Sequence, residues 1–315
     1  MFKLYIFDEV NQDYTSQTNR IIQVIRKYKQ DYQNWLDENK KFVDEASLKT
    51  GWSVQQVLDF LGKDLPNVSY VSASASMTFD KGSLQSFSQS ELNSILSNPK
   101  VDSRLEGFIA SNDYGNLYKL SQGVTWRYNN VFIDTNTGKS VDIKVTVKRI
   151  NGDNSNEYGL PLMFFVGEKY IGTNVAGADS VNYSLNFFEH GTNKEIAITS
   201  LIGIGDIDGG QFTGVYNATS ILRGSKVIAD NNNNYLGSRN IDGGDPTEGL
   251  DPKYQSWFIV PKSSKLEYTF GTPHFVGNQM MFYFNMIGGI PLPIKKTPPT
   301  LPSISYHLDS SKKGY

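Results

Sequence analysis

A short acidic segment is the first place where residue types and spacing in this sequence could support chemistry. Asp206 and Asp208 stand two residues apart, just before two glycines, which is how many calcium-binding loops begin. The segment departs from the EF-hand pattern, because no Glu closes the loop. We predict a structural Ca²⁺ site at Asp206 and Asp208, with Asp230 or Asp242 as further oxygen ligands. The alternative is a set of Asx turns built from the same residues.

A second candidate site combines aromatic and basic side chains. Aromatic rings can stack on sugars or exposed bases, and Lys or Arg can bind phosphate. The predicted ligand-binding residues are Trp126, Arg223, Lys226, Tyr235, Arg239 and Trp257. Lys144, Lys148 and Arg149 also line the polar face of one predicted strand. The alternative for the large aromatic residues is a place in the core, where such side chains are usually buried.

Catalytic patterns are weak in this chain. Its three histidines, at 190, 274 and 307, lie far apart and form no HxH or HExxH pair. No G-x-S-x-G elbow is present, and the Gly203-Ile-Gly205 segment lacks the third glycine of a dinucleotide fingerprint. We therefore expect a protein that is not an enzyme. The alternative is a carbohydrate-active enzyme that uses two loop carboxylates as acid and base.

Composition narrows the class of protein further. The 315 residues include 18 Tyr, 18 Phe and 4 Trp, which is enough to build a large aromatic core rather than a disordered chain. The net charge of −2 creates no overall basic field, so binding of a polyanion requires a local patch. Cysteine is absent, which excludes disulfides and cysteine-ligated zinc. No apolar run is long enough to span a bilayer, so we predict no direct membrane insertion.

The elements that must position these residues fall into three predicted segments. Residues 1–66 form a helical stalk or cover, in which Ile21, Ile22, Ile25 and Tyr28 follow a helical period after a cap at Ser16 or Thr18. Residues 67–290 form a β-sandwich. Residues 291–315 contain five prolines and read as a linker that leads into the first strand of a next module, from 304 to 308.

Alternation of apolar and polar residues predicts the strands of the middle segment, most clearly at 141–148. Gly, Asn and Asp clusters separate the strands, which favours antiparallel sheets. One helix is expected from Ser88 to Leu96, where Ser88 is followed three residues later by Glu91 as in a capping box. The stretch 203–252 is expected to be a long loop. The predicted strands are 69–79, 123–133, 141–148, 160–165, 180–189, 195–202, 255–260, 265–270 and 280–286. The predicted fold is mainly β, a large antiparallel lectin-like β-sandwich with long decorated loops and an N-terminal amphipathic helix.

The pattern of residues 123–309 resembles a known group of adhesin domains. The resemblance is carried by the Trp126-Arg-Tyr128 strand, the Val181-to-Glu189 block, Gln255-Ser-Trp257-Phe258 and the aromatic strand Met281-Phe-Tyr-Phe284, followed by a proline-rich exit. This arrangement is similar to the domain shared by glucan-binding protein C, the variable region of streptococcal antigen I/II proteins and the enterococcal aggregation substances.

The resemblance implies a cell-surface adhesin anchored to a Gram-positive cell wall, outside the cell. Implied partners are a polysaccharide such as glucan, a host glycoprotein, extracellular DNA or lipoteichoic acid, and the implied roles are aggregation, attachment and biofilm formation. Such domains often hold a structural divalent ion. The chain would then be a monomeric domain of a longer protein, with signal and anchor elsewhere. A structural module for homotypic aggregation, in which the helix forms the contact surface, is a further alternative.

Overall fold

The computed structural model describes most of the chain, and its description of side chains within the first helix covers 10–38. The residues described are 2–50, 68–71, 73–101, 104–111, 115–134, 136–153, 160–230, 234–240, 251–272, 283–287, 299–300 and 302–305. The chain divides into two compact units. The first comprises Met1–Asp44 with Pro293–Tyr315, and the second comprises Glu45–Leu292.

The first unit is built on the greater part of one long helix, α1, which spans Phe2–Thr50. A helix of this length extends roughly 70 Å. The predicted start at Ser16 or Thr18 is wrong, because the Thr18 hydroxyl donates to the carbonyl oxygen of Tyr14 (2.8 Å), as it does inside a helix. The pattern Ser53-Val-Gln-Gln56 also predicts a short second helix that ends near Gly62, but these residues lie outside the described ones.

One side of α1 carries a run of aromatic rings. The ring centroids of Tyr28 and Tyr32 are 6.0 Å apart, and those of Tyr32 and Trp35 are 5.7 Å apart. Trp35 is buried. Ile22 was expected on the same side but is 39% exposed, because its position departs from the i, i+3, i+4 spacing of the aromatic residues.

The tail of the chain lies against this helix. Ser303, Ile304 and Ser305 share one groove with Ser16 and Val24 of α1. Residues 302–305 are not in a strand, so the start of the strand predicted at 304 is wrong, and 306–308 lie outside the described residues. Among the described residues, no helix combines the length and the apolar character needed to cross a membrane.

The described residues of the second unit include two short helices and a 3₁₀ turn. Helix α2, Gln89–Leu96, begins with the predicted capping box, in which Ser88 and Glu91 satisfy each other's backbone N–H groups. Helix α3, Arg104–Ser111, was not predicted. The 3₁₀ turn covers Pro252–Tyr254.

The described strands of this unit are named in chain order. They are β1 Val68–Val71, β2 Thr78–Asp80, β3 Asn116–Lys119, β4 Thr125–Ile133, β5 Ser140–Asn151, β6 Met163–Val166, β7 Ile171–Ala176, β8 Ser180–Glu189, β9 Ile198–Gly205, β10 Phe212–Val215, β11 Ser220–Arg223, β12 Ile228–Asp230, β13 Leu236–Arg239, β14 Ser256–Ser263, β15 Lys265–Gly271 and β16 Tyr283–Ile287.

These strands form two sheets, which confirms a mainly antiparallel β fold. Sheet A has the order β11–β14–β9–β16–β7–β6–β3, and β1 joins it by a parallel pairing with β9. Sheet B has the order β12–β13–β10–β15–β8–β5–β4–β2. The sheets pack through alternate residues of their strands, so each strand of sheet B turns one set of side chains to the core and the other away from it.

An aromatic cluster fills the space between the sheets. Trp126 packs edge-on against Phe164 with 5.7 Å between ring centroids, and Tyr183 stacks on Tyr268 at 5.0 Å. The Tyr128 hydroxyl, which is fully buried, donates to the carbonyl oxygen of Gly167 (2.8 Å). Burial of rings of this size is the main stabilising contribution, and it fixes the surfaces on which functional side chains stand.

The region expected to be a long loop, 203–252, instead contains four short strands, β10 to β13. These strands are three or four residues long, and β10 and β13 each contain a glycine, which weakens the sequence signal for a strand. The predicted strand at 69–79 is likewise two strands, β1 and β2, separated by a turn.

Candidate functional site

The two predicted metal ligands lie at one end of the sandwich, in the loop that joins β9 to β10. Ile207, which stands between them, is fully buried in the core, and its N–H donates to the carbonyl oxygen of Tyr254 (2.9 Å). Asp206 has a φ of 65°, a left-handed conformation that Asp tolerates better than most residues. The core anchor at Ile207 thus holds Asp206 and Asp208 on either side of it.

Burial governs the electrostatics of this acidic loop. Asp208 is 7% exposed. Burial, followed by the nearby charge of Asp208, raises the pKa of Asp206 to about 8. Among the described residues, no Lys, Arg or His forms an ion pair with Asp206. A carboxylate in such surroundings is stabilised when a cation or a proton is supplied.

Two buried amides accompany the carboxylates. Gln211 donates through Nε2 to Oδ1 of Asp208 (3.0 Å), and the N–H of Asn240 donates to the carbonyl oxygen of Gln211 (2.9 Å). The side-chain oxygens of Gln211 and Asn240 are buried and accept no hydrogen bond. Carboxylate and amide oxygens are the ligands that Ca²⁺ prefers, so these residues fit a hard cation.

The described residues nevertheless contain no group of three or more His, Cys, Asp or Glu side chains that could hold a metal. Asp230, expected as a further ligand, instead accepts a hydrogen bond from the Tyr235 hydroxyl (2.6 Å). Asp242 lies outside the described residues. The candidate oxygen ligands are therefore the carboxylates of Asp206 and Asp208 and the amide of Gln211 in this loop, together with the amide of Asn240, which follows β13.

Both tryptophans predicted to bind a ligand are buried. Trp126 is 2% exposed and lies between the sheets, and Trp257 is 0% exposed on β14. Neither ring can stack on an external polymer from these positions, so the interpretation of these two residues as a binding surface is corrected. Their size and apolar character account for burial better than for recognition.

Arg223 also has a different role from the predicted one. Its Nε and Nη2 donate to the carbonyl oxygen of Gly237 (3.1 and 2.7 Å), and its Nε also lies 3.1 Å from the Ser238 hydroxyl. Because Arg223 is on β11 of sheet A and its partners are on β13 of sheet B, the guanidinium joins the edges of the two sheets. Burial lowers its pKa.

The structure brings Lys226 and Arg239 to the same end of the sandwich as the acidic loop. The carbonyl oxygen of Lys226 accepts a hydrogen bond from Asn240 Nδ2 (3.0 Å), and Arg239 directly precedes Asn240. Both cationic side chains are exposed. Both predicted residues are therefore accessible to an external anion.

The face of sheet B turned away from sheet A, called the outer face below, carries further cations. Lys144, Lys148 and Arg149 protrude from β5 and are exposed. None of them belongs to an ion pair among the described residues. The alternation at 141–148 indicated their common face, but the choice of site residues in the sequence omitted them.

Arg127 and Asp142 lie beside these cations. The Nη2 atom of Arg127 donates to Asp142 (2.8 Å), and the guanidinium lies 5.0 Å from the centre of the Phe188 ring. Arg127 pairs directly with Lys144 across β4 and β5, and Lys144 pairs with Asn186 of β8. Asp142 thus neutralises Arg127, whereas the neighbouring Lys144 keeps an uncompensated charge.

Tyr235, the remaining predicted ligand residue, lies on the outer face of sheet B. It is half-buried, with its hydroxyl held by Asp230. The ring of Tyr216 approaches it edge-on, with the centroids 5.4 Å apart. Tyr216, exposed at 37%, was not among the predicted site residues, because its contact with Tyr235 depends on the pairing of β10 with β13.

Comparisons with known proteins give matches among solved structures. No protein-family model matches the chain, and no curated protein matches it. Glucan-binding protein C of Streptococcus mutans is 15% identical, with 94% of this chain and 99% of that chain covered and a TM-score of 0.43. The adhesin domain of PrgB from Enterococcus faecalis is 11% identical, with coverage of 73% and 96% and a TM-score of 0.43.

The PrgB adhesin domain also matches in its DNA-bound structure. The identity is 9%, the coverage is 68% of this chain and 92% of that chain, and the TM-score is 0.43. The matches thus fall on adhesins of the kind that the sequence resembles. At these identities and TM-scores, the ligands of those proteins are not transferred to this chain.

Proposed function

We propose that this chain is a non-enzymatic adhesin domain of a Gram-positive cell surface that binds an extended polyanion across the outer face of sheet B. The polymer lies over strands β4, β5 and β8, and its acidic groups contact Lys144, Lys148 and Arg149. The sandwich supplies a rigid platform, because its core fixes the inward half of every strand. Attachment or aggregation follows when one polymer bridges surfaces that display the domain.

The observation that carries this proposal is the group of exposed cations on β5 without a carboxylate partner. The chain has a net charge of −2, and several of its surface cations pair with an acid, as in Lys139–Glu189, Lys265–Glu267 and Lys253–Asp251. Among the described residues, Lys144, Lys148 and Arg149 stand together on one strand and form no such pair. Three adjacent cations without such partners create a local positive potential. A polyanion that binds there releases its counterions, which favours association at low salt.

The experiment compares two polymers with the same backbone and length, dextran sulfate and unmodified dextran, by biolayer interferometry over a series of salt concentrations. We expect dextran sulfate to bind with an affinity that falls steeply with salt. Replacing Lys144, Lys148 and Arg149 together with Gln should reduce the slope of log affinity against log salt by roughly 2 to 3, since each lost contact contributes about 0.7 to 0.9.

The matched control is a triple variant that removes the same charge elsewhere, at Lys100, Lys169 and Lys262, which are exposed positions away from the outer face of sheet B. It should keep the wild-type slope. Equal slopes for the two triple variants would contradict the proposed face. A shortened polymer after incubation would contradict the non-enzymatic assignment.

We also propose that Ca²⁺ serves this domain as a structural ion in the acidic loop. Asp206, Asp208 and the side-chain oxygens of Gln211 and Asn240 would hold it. The support is the chemistry of the donor set, two carboxylates and two buried amide oxygens that accept no hydrogen bond. An ion there would fix the loop beside Lys226 and Arg239, at the end of the sandwich.

A further inference from the structure

The part of the outer face formed by β10 and β13 carries a tyrosine ring that lies flat on the sheet. Gly214 and Gly237 pair directly across these strands, and a Cβ atom on either glycine would overlap the ring of Tyr235. One face of the ring therefore rests on backbone without side chains. Tyr235 is half-buried, so part of its side chain remains accessible to solvent.

Neighbouring groups hold this ring in place. The hydroxyl of Tyr235 donates to Asp230 Oδ2 (2.6 Å), and the Tyr216 ring packs edge-on against it. Tyr216 is held in turn, since its hydroxyl accepts a hydrogen bond from Asn182 Nδ2 (2.6 Å). A ligand that stacks on Tyr235 would lose little side-chain entropy on binding, because the ring is already ordered.

A cation stands next to the ring on the same strand. Arg239 follows Gly237 as the next outward residue of β13, roughly 7 Å further along the strand. It is exposed and belongs to no ion pair among the described residues. The separation suits a ligand that presents a flat apolar face to Tyr235 and an acidic group to Arg239.

We propose that Tyr235 and Arg239 form a subsite for one acidic sugar residue of a polysaccharide. The C–H groups of the sugar ring stack on the electron-rich face of Tyr235, and its carboxylate or sulfate accepts hydrogen bonds from the Arg239 guanidinium. This inference rests on the proposed function and deepens it, since it assigns the bound polyanion to the acidic polysaccharides.

The test measures binding of hexasaccharides of hyaluronan, polygalacturonate and sulfated dextran by calorimetry, with polyphosphate as a polyanion that has no sugar ring. We expect Tyr235→Ala and Arg239→Gln each to weaken binding of at least one hexasaccharide tenfold or more. Tyr235→Ala should leave polyphosphate affinity within twofold. Tyr235→Phe keeps the ring, and should stay within threefold of wild type.

The control for general loss of an aromatic side chain is Tyr14→Ala on α1, where Tyr14 is 60% exposed, and it should bind like wild type. If Tyr235→Ala does not fold, the amide NMR signals of Gly214 and Gly237 in the wild-type domain provide a second measurement. A sugar ring stacked above Tyr235 should shift both signals, and unchanged signals at saturation would overturn the subsite.

Other outcomes separate this inference from the proposed function. Failure to bind dextran sulfate or any of the hexasaccharides would contradict both the proposed function and the sugar subsite. Binding that is lost in the β5 triple variant but unaffected by Tyr235→Ala and Arg239→Gln would overturn the subsite and leave the polyanion face intact. Weaker binding of single-stranded DNA by Tyr235→Ala, without any effect on the three hexasaccharides, would assign the platform to nucleic-acid bases and overturn the sugar subsite.

Discussion

The side chain of Asp142 holds together the part of the outer face of sheet B that surrounds Arg127. Its carboxylate is fully buried and accepts from the backbone N–H groups of Asn130 (2.7 Å) and Gly191 (3.0 Å). It also contacts Nδ1 of His190 (2.7 Å) and Nη2 of Arg127 (2.8 Å). One side chain thereby ties the irregular part of β4 to the turn after β8.

The Asp142→Asn variant should be less stable by roughly 3 kcal/mol at neutral pH, because a buried charged pair is broken and an amide N–H₂ group faces donors. Burial acts to raise the pKa of Asp142, but its hydrogen bonds hold that pKa below the usual 3.8. The stabilisation is therefore present above pH 4 and is lost as pH falls through the lower folded-state pKa. Urea denaturation across acidic pH measures it.

A matched control for this variant is Asp80→Asn, at an exposed position of β2. It should change the free energy of unfolding by less than about 0.5 kcal/mol at any pH. The interpretation of Asp142 would be wrong if its variant and the control had the same stability, or if the gap between them widened towards low pH.

The acidic loop gives a second prediction at the scale of single residues. Addition of Ca²⁺ should raise the melting temperature of the wild-type domain by several degrees, because an ion that binds the folded state alone stabilises it by mass action. Asp208→Asn should abolish most of this rise. Differential scanning fluorimetry with and without a chelator measures the shift.

For the calcium prediction, Asp80→Asn again removes one carboxylate outside the loop and should keep the full rise in melting temperature. Mg²⁺ at the same concentration should stabilise less, since it requires near-ideal octahedral geometry and retains its water ligands. Equal shifts for wild type and Asp208→Asn would show that calcium acts elsewhere.

At the scale of elements, the edges of the two sheets are joined by polar contacts rather than by apolar packing alone. Arg223 of β11 reaches the backbone of β13, and Ser256 of β14 donates to the Ser238 hydroxyl of β13 (2.7 Å). These contacts hold β13 in position. Because Tyr235 directly precedes β13 and Arg239 is its last residue, these contacts also fix the proposed sugar subsite.

Replacement of Arg223 with Met should lower the free energy of unfolding by roughly 2 kcal/mol, because the loss leaves the buried Gly237 carbonyl and Ser238 hydroxyl without charged donors. Arg239→Met is the matched control on the neighbouring strand, and it should change stability by less than about 0.5 kcal/mol, since Arg239 is exposed. Chemical denaturation compares the two. Equal losses would contradict a cross-sheet role for Arg223.

The elements that the sequence predicted well are those with a local signal. The alternation of β5, the whole of β8 and the capping box at Ser88 were each evident over a few neighbouring residues. Strands β10 to β13 were missed, since Gly214 and Gly237 resemble loop residues until the overlying ring of Tyr235 explains them.

The candidate site was harder to predict than the fold, for a related reason. Whether Arg223 serves a ligand or the other sheet depends on β11 meeting β13, which are far apart in sequence. Tryptophan is a residue type found in ligand-binding surfaces, but Trp126 and Trp257 are buried by packing that the sequence does not reveal. Asp206 and Asp208 were found together because their spacing is local, whereas the amides of Gln211 and Asn240 join them through strand pairing.

At the scale of the whole molecule, the outer face of sheet B places two proposed contacts on one surface. Arg149 stands on β5, and Tyr235 adjoins β13, four strand spacings away in the order β5–β8–β15–β10–β13. This separation is roughly 19 Å. Asn182 and Thr269 lie between them and are hydrogen-bonded to each other, with Thr269 Oγ1 donating to Asn182 Oδ1 (3.3 Å).

A polymer that reaches both ends should bind much more tightly than one that reaches either end, because the second contact becomes intramolecular. We expect the affinity for sulfated dextran fragments to rise steeply until their extended length passes about 20 Å, the spacing of four strands. Beyond that length, affinity should rise slowly, because a longer polymer gains only additional equivalent positions in which it can bind the same two contacts. Calorimetry on a series of fragments of single length measures this curve.

The variants separate the two ends of the face. Tyr235→Ala should flatten the steep part of the length curve, because a long fragment then gains no second contact beyond the cations of β5. The Gln triple variant at Lys144, Lys148 and Arg149 should lower affinity at every length and leave short fragments bound at the tyrosine end. A length curve that rises smoothly from the shortest fragment, unaltered by Tyr235→Ala, would mean that the polymer contacts the cations alone, since a single contact zone gives no threshold in length.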